Sequence, residues 1–126
     1  MPLHLDGLAD LGAVAVHATT LRRAVLNLVQ NALEAMPQGG TLTLAGRRTP
    51  AHVQLQIRDT GSGIPAERFA TIFEPLYTTK PGGTGLGLYI VQEIVVAHGG
   101  QVTVESVEGE GTTFTLTLPR VVGEAP

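Results

Sequence analysis

The chain has 126 residues, 43% of them hydrophobic, and a formal charge of −3 with no basic run; this suits one globular domain and argues against a disordered segment or a nucleic-acid binder. It contains no cysteine, which rules out disulfides, thiol catalysis and cysteine-bound zinc and fits a reducing compartment. No apolar run approaches the ~18 residues of a membrane span, and the start lacks the charged and apolar regions of a signal peptide, so we expect no membrane contact by this domain itself. Residues 1–12 carry scattered leucines without a period and read as a connector or a first strand. The domain proper is expected over 13–119, with 120–126 as a tail.

Ala13 to Val16 is short, apolar and strand-like, and Thr19 or Thr20 is placed to cap the helix that follows. That helix shows Leu21, Ala24, Val25, Leu28, Val29, Ala32 and Met36 at i, i+3, i+4 spacing, until Pro37 and Gly39-Gly40 stop it. Leu42 and Leu44, then Val53, Leu55 and Ile57, alternate with polar residues as half-buried strands do. Ala66 to Phe73 reads as a short helix. Residues 74–85 have no period and are punctuated by proline and glycine. Leu86 to His98 is helical in pattern and ends at Gly99-Gly100. Val102 and Val104, then Phe114, Leu116 and Leu118, form a closing pair of strands. The mixture of hairpin-like neighbours and helices predicts an α+β two-layer sandwich.

Four polar clusters follow one another along this framework. Asn27 and Asn31 lie four apart, hence on one helix face. Asn31 falls at the edge of the apolar stripe, where an amide oxygen can reach a hard cation; Mg²⁺ takes oxygen ligands and keeps several waters, so one protein oxygen plus substrate phosphates suffices. The alternative is a solvated helix face. Asp59 shares the parity of Val53, Leu55 and Ile57 and so points to the core side as its strand ends. A carboxylate there needs a donor, and the exocyclic amine of adenine is one. Gly61 and Gly63 would let a flat ring approach the backbone, unless they and Asp59 only shape a turn. Thr112 is in register with Phe114, Leu116 and Leu118, and its hydroxyl could support the Asp59 contact directly or through a water, or serve only as a strand residue.

Gly83, Gly85 and Gly87 lie at the start of the second helix, where free N–H groups and the dipole favour anions. Their spacing matches neither a Walker A loop nor the dinucleotide fingerprint. Lys80, the only lysine in the chain, precedes them as a mobile point charge for a terminal phosphate. The histidines have no metal-ligand spacing, and His98 at a helix C-terminus suits a structural role.

With these clusters in this order, the sequence resembles the catalytic, ATP-binding domain of bacterial two-component sensor histidine kinases, of the wider gyrase, Hsp90, histidine kinase and MutL group of ATPases. Asn27 to Ala32 is similar to the N box, Asp59 to Pro65 to the first glycine box, Ile72 to Pro75 to the F box, and Gly83 to Leu88 to the second glycine box. The resemblance implies a Bergerat-type fold, a mixed sheet of about five strands backed by about three helices, with ATP under a lid formed by residues 74–85. By the matching motifs, Asn31 would hold Mg²⁺ and Asp59 would bind the adenine amine with Thr112 in support. Gly61, Gly63 and Ile64 would line the base, while Gly83, Thr84, Gly85, Leu86 and Gly87 would embrace the phosphates. Asn27, Asn31 and Lys80 would act around the reacting phosphate. Glu34 and Ala35 replace the Lys-Tyr pair that often follows the N box, and Leu76 replaces a common phenylalanine of the F box. The Asn-Ala-Leu-Glu-Ala version looks like the nitrogen-regulation type.

Hydrolytic relatives carry a glutamate where this chain has Asn27, and an amide cannot take a proton from water, so the resemblance implies a kinase and not a fast hydrolase. None of the four histidines sits in the context of the family's phosphoacceptor. The expected partners are therefore ATP, a histidine-containing dimerisation domain of the parent kinase and a downstream response regulator, in the cytoplasm, with any membrane anchor elsewhere in the parent. An anti-sigma-type serine kinase and a non-catalytic nucleotide-binding module remain alternatives.

Overall fold

The computed structural model describes residues 3–6, 18–74 and 87–119. Within them the chain forms β1 (Leu3–Asp6), α1 (Ala18–Glu34), β2 (Leu42–Arg48), β3 (His52–Asp59), a 3₁₀ turn (Ala66–Arg68), α2 (Gly87–Ala97), β4 (Gln101–Val107) and β5 (Gly111–Pro119). The five strands make one sheet in the order β1-β2-β3-β5-β4. β1 runs parallel to β2, and the other three pairs are antiparallel. This is the mixed-sheet α+β sandwich expected, with α1 and α2 packed against each other over the sheet.

The core follows from the two periodicities. Ala24, Leu28 and Ala32 of α1 and Met36 just past its end are buried, as are Val91 and Val95 one turn apart on α2. Cross-strand register sorts the facing side of the sheet into rows. Gly46, Leu55, Leu116 and Val102 form one row, and Leu44, Ile57, Phe114 and Val104 the next. The third row is Leu42, Asp59, Thr112 and Ser106. The apolar sheet thus turns polar at one end, and there the site is built. The opposite sheet face carries polar residues, with Gln54 donating to Thr117 Oγ1 and Arg58 to Thr113 Oγ1, both at 3.4 Å.

Element ends show where local signals hold. Beyond α2, Gly99 N–H bonds Val96 C=O at 2.9 Å and Gly100 N–H bonds Val95 C=O at 3.0 Å. With Gly99 at φ +77°, this is a Schellman termination, which favours glycine because the left-handed conformation crowds a Cβ. His98 sits just past the helix with Nδ1 2.7 Å from Ile94 O, in keeping with a structural role.

Residues 3–6, in the stretch read as a connector or a first strand, form β1, and the strand expected at 13–16 lies outside the described residues. Two expectations change. Thr19 and Thr20 lie inside α1, which already includes Ala18, so neither stands at the N-cap position. The short helix expected over Ala66 to Phe73 is only the 3₁₀ turn, continued by i→i+3 bonds from Thr71 N–H to Arg68 O and from Glu74 N–H to Thr71 O, each 3.0 Å. A segment this short offers little to offset helix nucleation, and tertiary packing takes its end: Ile72 is buried and the Phe73 ring meets Phe114 edge-on, centroids 6.2 Å apart.

Candidate functional site

At the polar end of the sheet a cleft of about 690 Å³, counting the solvent at its mouth, opens between α1, the loop after β3 and the start of α2. Asp59 and Thr112 form its floor; Asn31, Glu34 and Ala35 of α1 line one wall, and Ile64, Arg68 and Ile72 line another, with Leu88 of α2 beside them. Asp59 is 3% exposed and Thr112 5%. They are direct cross-strand partners, both on the buried face that parity assigns to them.

The floor is held by a dense set of hydrogen bonds. Asp59 Oδ1 accepts the N–H of Gly61 at 2.8 Å. Ser106 Oγ accepts the N–H of Ile64 and donates to the C=O of Gly111, and it lies against Thr112 Oγ1, all at 2.8 Å. The loop from Thr60 to Pro65 is also clasped from both sides. Ser62 N–H bonds Ala35 O at the end of α1 (3.2 Å), Gly109 N–H from the β4–β5 turn bonds Ser62 O (2.7 Å), and Thr60 Oγ1 accepts Thr41 N–H (2.9 Å).

Gly63 explains why this loop needs glycine. It has φ +73°, and a Cβ there would run into the Val107 carbonyl oxygen, with Glu108 Cα at 2.8 Å. Gly39 also has positive φ, +96°, yet no described atom lies within 4 Å of its would-be Cβ. Gly63→Ala is therefore expected to lose the ~1–2 kcal/mol of the left-handed conformation plus the cost of the collision, and Gly39→Ala only the former. Urea denaturation of both variants checks this; equal losses would mean that the Val107 contact does not constrain Gly63.

Of the residues singled out in the sequence, the cleft brings together Asn31, Asp59, Gly63, Ile64 and Thr112. Asn27 is half-buried on α1 but does not line it. Gly61 is in contact with protein: its would-be Cβ meets the Ala35 carbonyl, so its small size is used by the helix end. Gly87 opens α2, with no described atom within 4 Å of its would-be Cβ. Lys80, Gly83, Thr84, Gly85 and Leu86 lie outside the described residues. Among the described residues no group of three or more His, Cys, Asp or Glu side chains could hold a metal. Sequence reasoning misses Ser106 and Arg68. The parity of Val102, Val104 and Ser106 in β4 carries a signal for the first; an exposed arginine in a stretch that reads as a short helix carries none for the second.

Fold and cleft together define an α+β sandwich with an open cleft at the polar end of its sheet. The chain belongs to the family described as histidine kinase-, DNA gyrase B- and HSP90-like ATPases, whose sequence profile matches residues 16–122. It is 46% identical over 99 residues to sensor histidine kinase ZraS of Escherichia coli K12, covering 79% of this chain and 21% of that protein. Among solved structures it is similar to the catalytic domain of histidine kinase ThkA (34% identity, TM-score 0.82, covering 94% of this chain and 78% of that one). It also resembles full-length ShkA in complex with AMPPNP (29% identity, TM-score 0.76, covering 93% of this chain and 25% of that one). The chain spans less than a quarter of the length of the curated relatives it matches. Among the described residues no helix is long and apolar enough to cross a membrane.

Proposed function

We propose that this chain binds Mg-ATP in the cleft and donates the γ-phosphoryl group to a histidine on a separate dimerisation domain of its parent kinase, for onward transfer to a response regulator in the cytoplasm. The observation that carries the reading is the buried Asp59–Thr112 floor facing a wall that holds Asn31. Asp59 accepts the Gly61 N–H on Oδ1, and a carboxylate has acceptor capacity for several donors; the adenine amine would be a further one, while the apolar walls, Ile64 and Ile72, cover the ring.

Asn31 is half-buried at the cleft wall, and its side-chain amide has one oxygen. That fits a cation which takes most of its ligands from water and phosphate, and Mg²⁺ would supply charge neutralisation on the phosphates. Gly87 at the first turn of α2 leaves room for phosphate oxygens to approach backbone N–H groups. Gly83, Thr84, Gly85 and Leu86 would extend that cradle, and Lys80 would bring a positive charge to the terminal phosphate. Asn27 has no basic lone pair with which to activate water, so the bound nucleotide is held for an incoming imidazole.

The test mixes the chain with Mg²⁺, γ-labelled ATP and a separately prepared helical dimerisation domain bearing the acceptor histidine. The expected result is acid-labile, Mg²⁺-dependent label on that domain and little free phosphate without it. ATP binding with no transfer would leave only a nucleotide-binding module, and acid-stable label on serine would point to a serine kinase.

A further inference from the structure

We infer that Ser106 is a positioning residue that makes the floor of the cleft select a purine with an amino group, and not an oxo group, at its 6-position; the inference rests on the nucleotide reading above. A serine hydroxyl has one proton and two acceptor lone pairs. Ser106 Oγ gives its proton to Gly111 C=O at 2.8 Å and accepts Ile64 N–H at 2.8 Å. Its contact with Thr112 Oγ1, also 2.8 Å, is then a hydrogen bond only if Thr112 is the donor. The proton of Thr112 is drawn toward β4, and what its oxygen shows to the cleft is lone pair. Asp59, its cross-strand partner, has only acceptors when ionised.

The floor therefore presents acceptors alone. A 6-amino group has two N–H donors for such a floor. A 6-oxo group in the same place sets its own lone pairs against a carboxylate and a hydroxyl oxygen, and a buried polar group denied its partner weakens binding strongly. The discrimination depends on Ser106, which touches no part of the base, because a threonine hydroxyl released from it can rotate and donate.

The experiment compares ATP with inosine triphosphate, which carries oxygen for the 6-amine and with it a proton on N1, by competition against a fluorescent nucleotide in wild type, Ser106→Ala, Thr112→Val and the double variant. Wild type is expected to prefer ATP. Ser106→Ala should cut the ATP-to-ITP affinity ratio about tenfold, the size of one hydrogen bond. Loosening of the loop through the lost Ile64 bond would weaken both nucleotides alike and cancels in the ratio. In the Thr112→Val background Ser106→Ala should change the ratio no further. Should Ser106→Ala not fold, Ser106→Cys, a weak donor and acceptor of nearly the same shape, carries the same expectation. An unchanged ratio in the Ser106 variant, or an equal change with Thr112 already removed, overturns the inference while nucleotide binding stands. Failure of wild type to bind either nucleotide overturns both.

Discussion

In calorimetric titrations Asp59→Asn is expected to bind ADP at least ~100-fold more weakly than the wild-type chain while keeping its fold. The substitution is isosteric, and Asp59 is 3% exposed, so neither volume nor packing changes. Its chemistry does. The one oxygen of an asparagine stays with the N–H of Gly61, which now lies 2.8 Å from Asp59 Oδ1. The amide NH₂ then takes the other carboxylate position and sets a donor against the donor of the base. A lost charge-assisted bond is thereby combined with a repulsive pair. If Asp59→Asn binds ADP as wild type does, the base is not seated on this carboxylate and the assignment of the cleft floor fails.

The largest loss of stability is expected for Phe114→Ala, about 3–5 kcal/mol of the ~5–15 kcal/mol that holds a typical domain together. Phe114 is 1% exposed, in the middle of the row Leu44, Ile57, Phe114 and Val104, and it carries the edge of the Phe73 ring. Removing it opens a cavity under α1 and α2 and frees the segment that brings Ile72 to the cleft wall, so ADP affinity should fall as well. Leu33→Ala, on the exposed side of α1 at 43% exposure, should change stability by no more than about 0.5 kcal/mol. Urea midpoints of the two variants decide this; a Phe114→Ala loss as small as that of Leu33→Ala would mean that this row is not the centre of the core.

Much of the fold and part of the site are legible in the amino-acid sequence. The α1 stripe from Leu21 to Met36 and the alternation from Val53 to Ile57 rest on local geometry, 3.6 residues per turn and 2 per strand repeat. Extending the strand alternation by one step places Asp59 and Thr112 on the buried face. Where competing roles share one signal, the sequence is less decisive. Gly61 suggests room for a ring but is room for Ala35. Thr19 and Thr20 suggest caps because hydroxyls cap helices well, yet the helix includes them. Parity puts Ser106 on the buried face, but a serine in a strand is ordinary until its three partners, on the loop at Ile64 and on β5 at Gly111 and Thr112, are known.

The sequence by itself determined the class of sandwich, which face of each element is buried, and that an amide, a carboxylate and a hydroxyl end at the margin of the apolar surface. These are properties of short stretches, set by the periodicity of the backbone. Only the tertiary structure decided that β5 inserts between β3 and β4, putting Thr112 beside Asp59 and Ser106 beside Thr112, and that the loop after β3 is clamped between Ala35 and the β4–β5 turn. Strand partners are chosen by packing across the sheet and by burial under two helices at once, and those energies belong to residues far apart in the chain.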